Sequence, residues 1–97
     1  MNYIVQLTTR ARLDLQINLD YLLEEAPDYA DQWKEEMYTA IHSLSTFPLR
    51  GTEYPKAKYL DAPIRQLVQK RHQIFYQVNE NVVEVLYIHH MSQKPIT

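Results

Sequence analysis

The apolar residues Ala30, Trp33, Met37, Ala40, Ile41 and Leu44 recur at steps of three and four, while Asp31, Lys34, Glu35 and Glu36 fall between them. That spacing draws one apolar stripe along a helix and sends the charges to the other side. Asp28 is the expected N-cap and Pro48 the far limit, which makes a rod of about twenty residues and roughly 30 Å. A second helical pattern precedes it, from Arg10 to about Glu25. Ala11, Leu15, Leu19 and Leu22 share a face that Leu13, Ile17 and Tyr21 are expected to widen. Thr8 or Thr9 supplies its cap. Pro27 ends it, because proline disfavours the α conformation in the residue before it. So short a link between two helices implies an antiparallel hairpin.

Outside the helices the period changes from three-and-four to two. Residues 64–68, 72–78 and 82–90 read as strands, with a tight turn at Asn79, Glu80 and Asn81 making the last two an antiparallel hairpin. Residues 3–7 form a first, β-branched strand. Residues 50–62, punctuated by Gly51 and Pro55 and rich in lysine and tyrosine (Tyr54, Lys56, Lys58, Tyr59), read as a loop, and residues 91–97 as a loose tail. The predicted fold is α+β and a single domain over residues 1–97. A strand is followed by an antiparallel helix hairpin and a three-stranded antiparallel meander, with the helices on one face of the sheet.

A chain of 97 residues with 45% apolar content can bury one core and is too apolar for a disordered tail. The absence of cysteine excludes disulfides, thiolate metal sites and a cysteine nucleophile. No run approaches a membrane span, and the N-terminus lacks a basic-then-apolar signal, so a cytoplasmic protein is expected. The net charge of −2 is unevenly distributed. Residues 1–47 hold three basic and eight acidic side chains (−5), and residues 48–97 hold seven and four (+3). One acidic and one basic face are expected, the second suited to an anionic partner. The acidic helices argue against a helix-turn-helix, whose recognition helix must approach phosphates.

Few residues carry chemistry by type and position. Arg65 lies among strand-forming residues, where an exposed cation meets phosphate or a carboxylate, or else pairs with the acidic helices or guards a sheet edge. Arg71 precedes Gln73 by two residues and by strand alternation shares its face. His89 and His90 are adjacent on a strand, point to opposite faces and cannot together hold a metal. His90 can titrate beside a basic patch, whereas His42 and His72 read as structural or merely exposed. Tyr76 shares a face with Ile74 and Val78, which makes it a core residue whose phenol needs a polar partner. No cofactor and no metal are indicated.

In sequence order, several motifs resemble the RelE/ParE superfamily of toxins from bacterial type II toxin–antitoxin systems. Ala11, Asp14-Leu15 and Tyr21 match its first-helix pattern, and Leu44, Pro48 and Gly51 its leucine–proline–glycine ending. Ile64-Arg65-Gln66-Leu67 is similar to its strand with a central arginine. The run from His72 to Val78 and the closing His90-Met91-Ser92-Gln93 are similar to its last two strands. The resemblance spans nearly the whole chain and implies the fold above. It also implies a toxin neutralised by a cognate antitoxin that wraps it, of the kind associated with plasmid stabilisation and growth inhibition. RelE-like members cleave mRNA on the ribosome, and ParE-like members poison DNA gyrase. Gln73 stands where nuclease members carry a phosphate-binding arginine, and their pair of lysines on the preceding strand is missing. The resemblance therefore favours ParE-like action on DNA gyrase, with Arg65, Arg71, Gln73, His90, Gln93 and Lys94 as the target- or partner-binding residues. The alternative is a ribosome-dependent, metal-independent mRNA endonuclease with Arg65, Arg71 and His90 as catalytic residues. A third reading is a non-toxic binding module.

Overall fold

The computed structural model describes residues 2–54 and 63–91. Strand β1 (Ile4–Leu7) runs into helix α1 (Thr9–Glu25) at Thr8, which is the cap. Its Oγ1 accepts from the Ala11 N–H at 3.0 Å and donates to the Leu86 carbonyl at 2.6 Å. One hydroxyl thus satisfies a helix end and ties it to the sheet. Helix α2 (Pro27–Ser43) begins after a single residue, Ala26. Pro27 both ends the first helix and takes the first position of the second, where its missing N–H costs nothing. Asp28 is therefore not the N-cap. It sits in the first turn, and Ala26 occupies the cap position with no side-chain bond. The helix has 17 residues, about 25 Å rather than 30. It closes early because Leu44, Ser45 and Thr46 turn back onto Ile41, His42 and Ser43 through i→i−3 bonds.

The sheet holds five strands in the order β1-β5-β4-β3-β2, with β2 (Thr52–Glu53), β3 (Arg65–Gln69), β4 (His72–Asn79) and β5 (Val82–His90). β1 lies parallel to β5, and every other pairing is antiparallel. The stretch expected as a loop thus supplies an edge strand, two residues long and too short to show a period. The remainder of that stretch, residues 55–62, and the tail, residues 92–97, lie outside the described residues, and Lys56, Lys58, Tyr59, Gln93 and Lys94 with them.

The pairing of β4 with β5 slips between Phe75 and Tyr76: Phe75 faces Tyr87, and Tyr76 faces Val85. Leu86 is the extra residue of a bulge. Val83 and Val85 before it and Ile88 after it join one core with Ala11, Leu15, Trp33, Met37, Ile41, Leu44, Ile74 and Tyr76. A smaller cluster on the sheet's other face packs Ile64, Phe75 and Tyr87 with Tyr54 and Leu86. The bulge frees the Ile88 N–H, and Asp14 Oδ2 accepts it at 2.9 Å, so α1 substitutes for a strand partner where β1 stops.

The Trp33–Met37–Ile41–Leu44 stripe is buried as its period requires. Leu13, Ile17 and Tyr21 are not: they are 56%, 56% and 63% exposed. The buried line of α1 is narrower than its apolar content, because that helix meets the rest of the protein along one side only.

Candidate functional site

Two ends of β3 present an arginine each, and the surroundings use them differently. At the first end, Arg65 Nη2 donates to the carbonyls of Gly51 at 2.7 Å and Leu49 at 3.2 Å. Alongside, the Tyr76 hydroxyl donates to the Pro48 carbonyl at 2.8 Å and accepts from the Gly51 N–H at 3.1 Å. A Cβ on Gly51 would lie 2.4 Å from the Gln66 carbonyl oxygen and 2.7 Å from that hydroxyl, so only glycine fits. The proline and glycine that follow α2 are thus the two halves of a backbone clamp closed by Tyr76 and Arg65. The phenol has the polar partners that its burial demands. Arg65 meets neither the helices' carboxylates nor solvent as its main partner. Its guanidinium is committed to main-chain oxygens 14 and 16 residues earlier.

The far end of β3 leads into a two-residue turn of Lys70 and Arg71, with Lys70 at φ 54°. Here the helices and the strand ends enclose a cavity of about 320 Å³. Leu22 of α1 and Tyr29, Trp33 and Met37 of α2 form its apolar side, and Lys70, Arg71, His72 and His90 its basic and imidazole side. The Lys70 ammonium lies 2.7 Å from Glu36 and 5.5 Å from the Tyr29 ring. The hydrogen bond to Glu36, then that to Tyr29, raises its pKa above the usual lysine value. The Arg71 side chain is exposed and makes no hydrogen bond or ion pair among the described residues.

His72 is 7% exposed, 5.4 Å from the Trp33 ring and 4.8 Å from that of His90. Burial, and then the charge of His90, push its pKa down to about 4. At neutral pH the cavity wall therefore holds a neutral imidazole packed on an indole. The Trp33 Nε1 donor is buried and has no hydrogen-bond partner among the described residues.

Gln73 lies on the other face of the sheet. Its Nε2 donates to Gln66 Oε1 at 2.8 Å, and its Oε1 lies 3.1 Å from His89 Nδ1. Strand alternation does not carry Arg71 to that face, because the turn at Lys70 and Arg71 interrupts it. Of the residues singled out in the sequence, Arg71 and His90 come together at the cavity. Arg65 stands at the opposite end of β3, Gln73 on the opposite face, and Gln93 and Lys94 lie outside the described residues. Trp33, Lys70 and His72 were not anticipated at this site. Trp33 reads as plain core from its period, and the meeting of His72 with His90 follows only from the strand register. Among the described residues no three of His, Asp and Glu group as a metal site, and no helix is long and apolar enough to cross a membrane.

A helix hairpin laid on one face of such a mixed sheet is the fold of the RelE/ParE toxins. Two solved structures share it. One, from the chromosomal ParDE toxin–antitoxin system of P. aeruginosa, superposes with a TM-score of 0.74 at 16% identity, covering 91% of this chain and 95% of the other. A second, from the toxin–antitoxin complex RelBE2 of Mycobacterium tuberculosis, gives 0.60 at 22% identity, covering 93% and 99%. No curated protein matches the sequence. The family model described as ParE toxin of type II toxin-antitoxin system, parDE, matches residues 5–95. The chain belongs to the ParE toxin family of type II toxin–antitoxin systems.

Proposed function

We propose that this toxin arrests growth by binding a protein, DNA gyrase being the target that the ParE-like resemblance suggests, and that a cognate antitoxin holds it inactive. The observation that carries this reading is the fate of the cations. Metal-free RNA cleavage needs a base, an acid and a phosphate-binding cation around one scissile bond. Arg65 is tied to the Leu49 and Gly51 carbonyls, and the open sheet face holds the Gln66–Gln73–His89 network where a nuclease would carry arginine and lysine. The target-binding surface is the rim of the cavity at Arg71 and His90, with Gln93 and Lys94 of the segment that follows. The antitoxin is expected to cover the apolar line of Leu13, Ile17 and Tyr21, spaced as a partner helix reads it.

One observation favours a second reading. Arg71 and His90 border one cavity, so a cation and an imidazole line the same space, as a ribosome-dependent endonuclease requires. Induction of the chain without antitoxin, followed by microscopy and total RNA, separates the two. Arrest with filamentous cells and intact mRNA supports gyrase poisoning; arrest with fragmented mRNA supports the nuclease. Unimpaired growth would leave a non-toxic binding module and overturn both.

A further inference from the structure

The face of the sheet turned away from the helices carries a separate cleft of about 360 Å³ at the β4–β5 hairpin, lined by Gln77, Asn79, Glu80, Val82 and Glu84. Register sets Gln77 opposite Glu84 and Asn79 opposite Val82. Gln77 Nε2 donates to Glu84 Oε1 at 3.1 Å. A carboxylate only accepts, so this bond fixes which end of the amide is nitrogen. The amide oxygen at the other end is buried and has no donor among the described residues, in a residue only 7% exposed. Buried amide oxygens are normally satisfied, and an orphan beside a carboxylate marks a place short of donors. Among the described residues no cation pairs with Glu80 or Glu84.

We propose that this cleft receives an arginine side chain of a protein partner. A guanidinium offers five N–H donors in one plane. Two suit the Glu84 carboxylate and a third the orphaned Gln77 oxygen once a small shift of the hairpin side chains uncovers it, an arrangement that no single ammonium donor matches in geometry. Val82, half-buried on the cleft wall, gives the arginine's alkyl stem an apolar surface, and Glu80 adds negative charge at the hairpin turn. A divalent metal fits less well, since among the described residues no third carboxylate or imidazole joins the group. The inference rests on these residues alone and goes beyond the reading of the toxin's target.

The test is a titration of the ¹⁵N-labelled full chain with Nα-acetyl-arginine methylamide, followed at the Gln77 side-chain amide and at the backbone of Val82 and Glu84. The neutral isostere Nα-acetyl-citrulline methylamide and the corresponding lysine derivative serve as comparisons. Saturable shifts with the arginine compound, none with citrulline, and weakening of about tenfold or more in Glu84→Gln are the expected result. The Glu84→Gln spectrum away from the hairpin reports that the variant is folded. Shifts that do not saturate, that citrulline reproduces, that lysine matches in strength, or that survive Glu84→Gln would each overturn the assignment.

Discussion

Arg65 and Arg71 flank the same strand and differ in what the chain brings to them. Arg65 meets the end of the α2 connection, where the Leu49 and Gly51 carbonyls need donors and the Tyr76 hydroxyl bridges Pro48 and Gly51. Arg71 stands on a turn beside an open cavity, and its side chain bonds no carbonyl among the described residues. The same side chain is a structural clamp in one place and an available cation in the other, and the supply of unsatisfied main-chain oxygens decides between them. The cost of removing each group should follow that division.

The largest effect is expected at the clamp. Gly51→Ala places a methyl against a main-chain carbonyl at 2.4 Å, and a loss of about 3–4 kcal/mol is expected by urea denaturation; a loss under about 1 kcal/mol would show that the clamp yields. Next comes acid sensitivity at the cavity end. The His72 pKa is about 4 when folded against the ordinary histidine value of 6.5, so the unfolded chain binds more protons between those values. Stability is fully present above pH 6.5 and falls as the pH drops towards 4, by about 2–3 kcal/mol. Denaturation midpoints across that window measure it, and His72→Phe should flatten the slope.

Arg65→Met takes the donor from the part-buried Gly51 carbonyl and from the exposed Leu49 carbonyl, and about 1–2 kcal/mol of stability should be lost. Toxicity per folded molecule should be unchanged, which paired thermal melts and growth assays would read. Arg71→Ala should move stability by less than about 0.5 kcal/mol while reducing growth arrest. An Arg71→Ala variant that melts early, or an Arg65→Met variant that folds normally but is harmless, would break the contrast between the two ends.

Much of the fold is legible in the sequence because two periods write it. The Trp33–Leu44 stripe and the β4–β5 hairpin are placed by spacing alone. The width of a helix's buried face is not, since the same period fits Leu13, Ile17 and Tyr21 whether or not another element reaches them. The two residues of β2 are too few for any pattern. The site is less legible for physical reasons. Arg65 finds its partners across a sequence gap that includes residues 55–62. The turn residue Lys70, at φ 54°, breaks the alternation that linked Arg71 to Gln73. Adjacency does place His89 and His90 on opposite faces, but register decides that Gln73 meets His89, leaving His90 with His72.

The most direct test of a protein-directed toxin acting through the Arg71 end is a DNA supercoiling assay. Purified gyrase would be incubated with the chain, with Arg71→Ala and with Arg65→Met, while programmed ribosomes receive the same proteins. Inhibition of supercoiling by the chain and by Arg65→Met, weakened about tenfold or more in Arg71→Ala, with mRNA left whole, is the predicted result. Codon-positioned cuts in the mRNA with supercoiling untouched would contradict it and make Arg71 and His90 parts of a nuclease site.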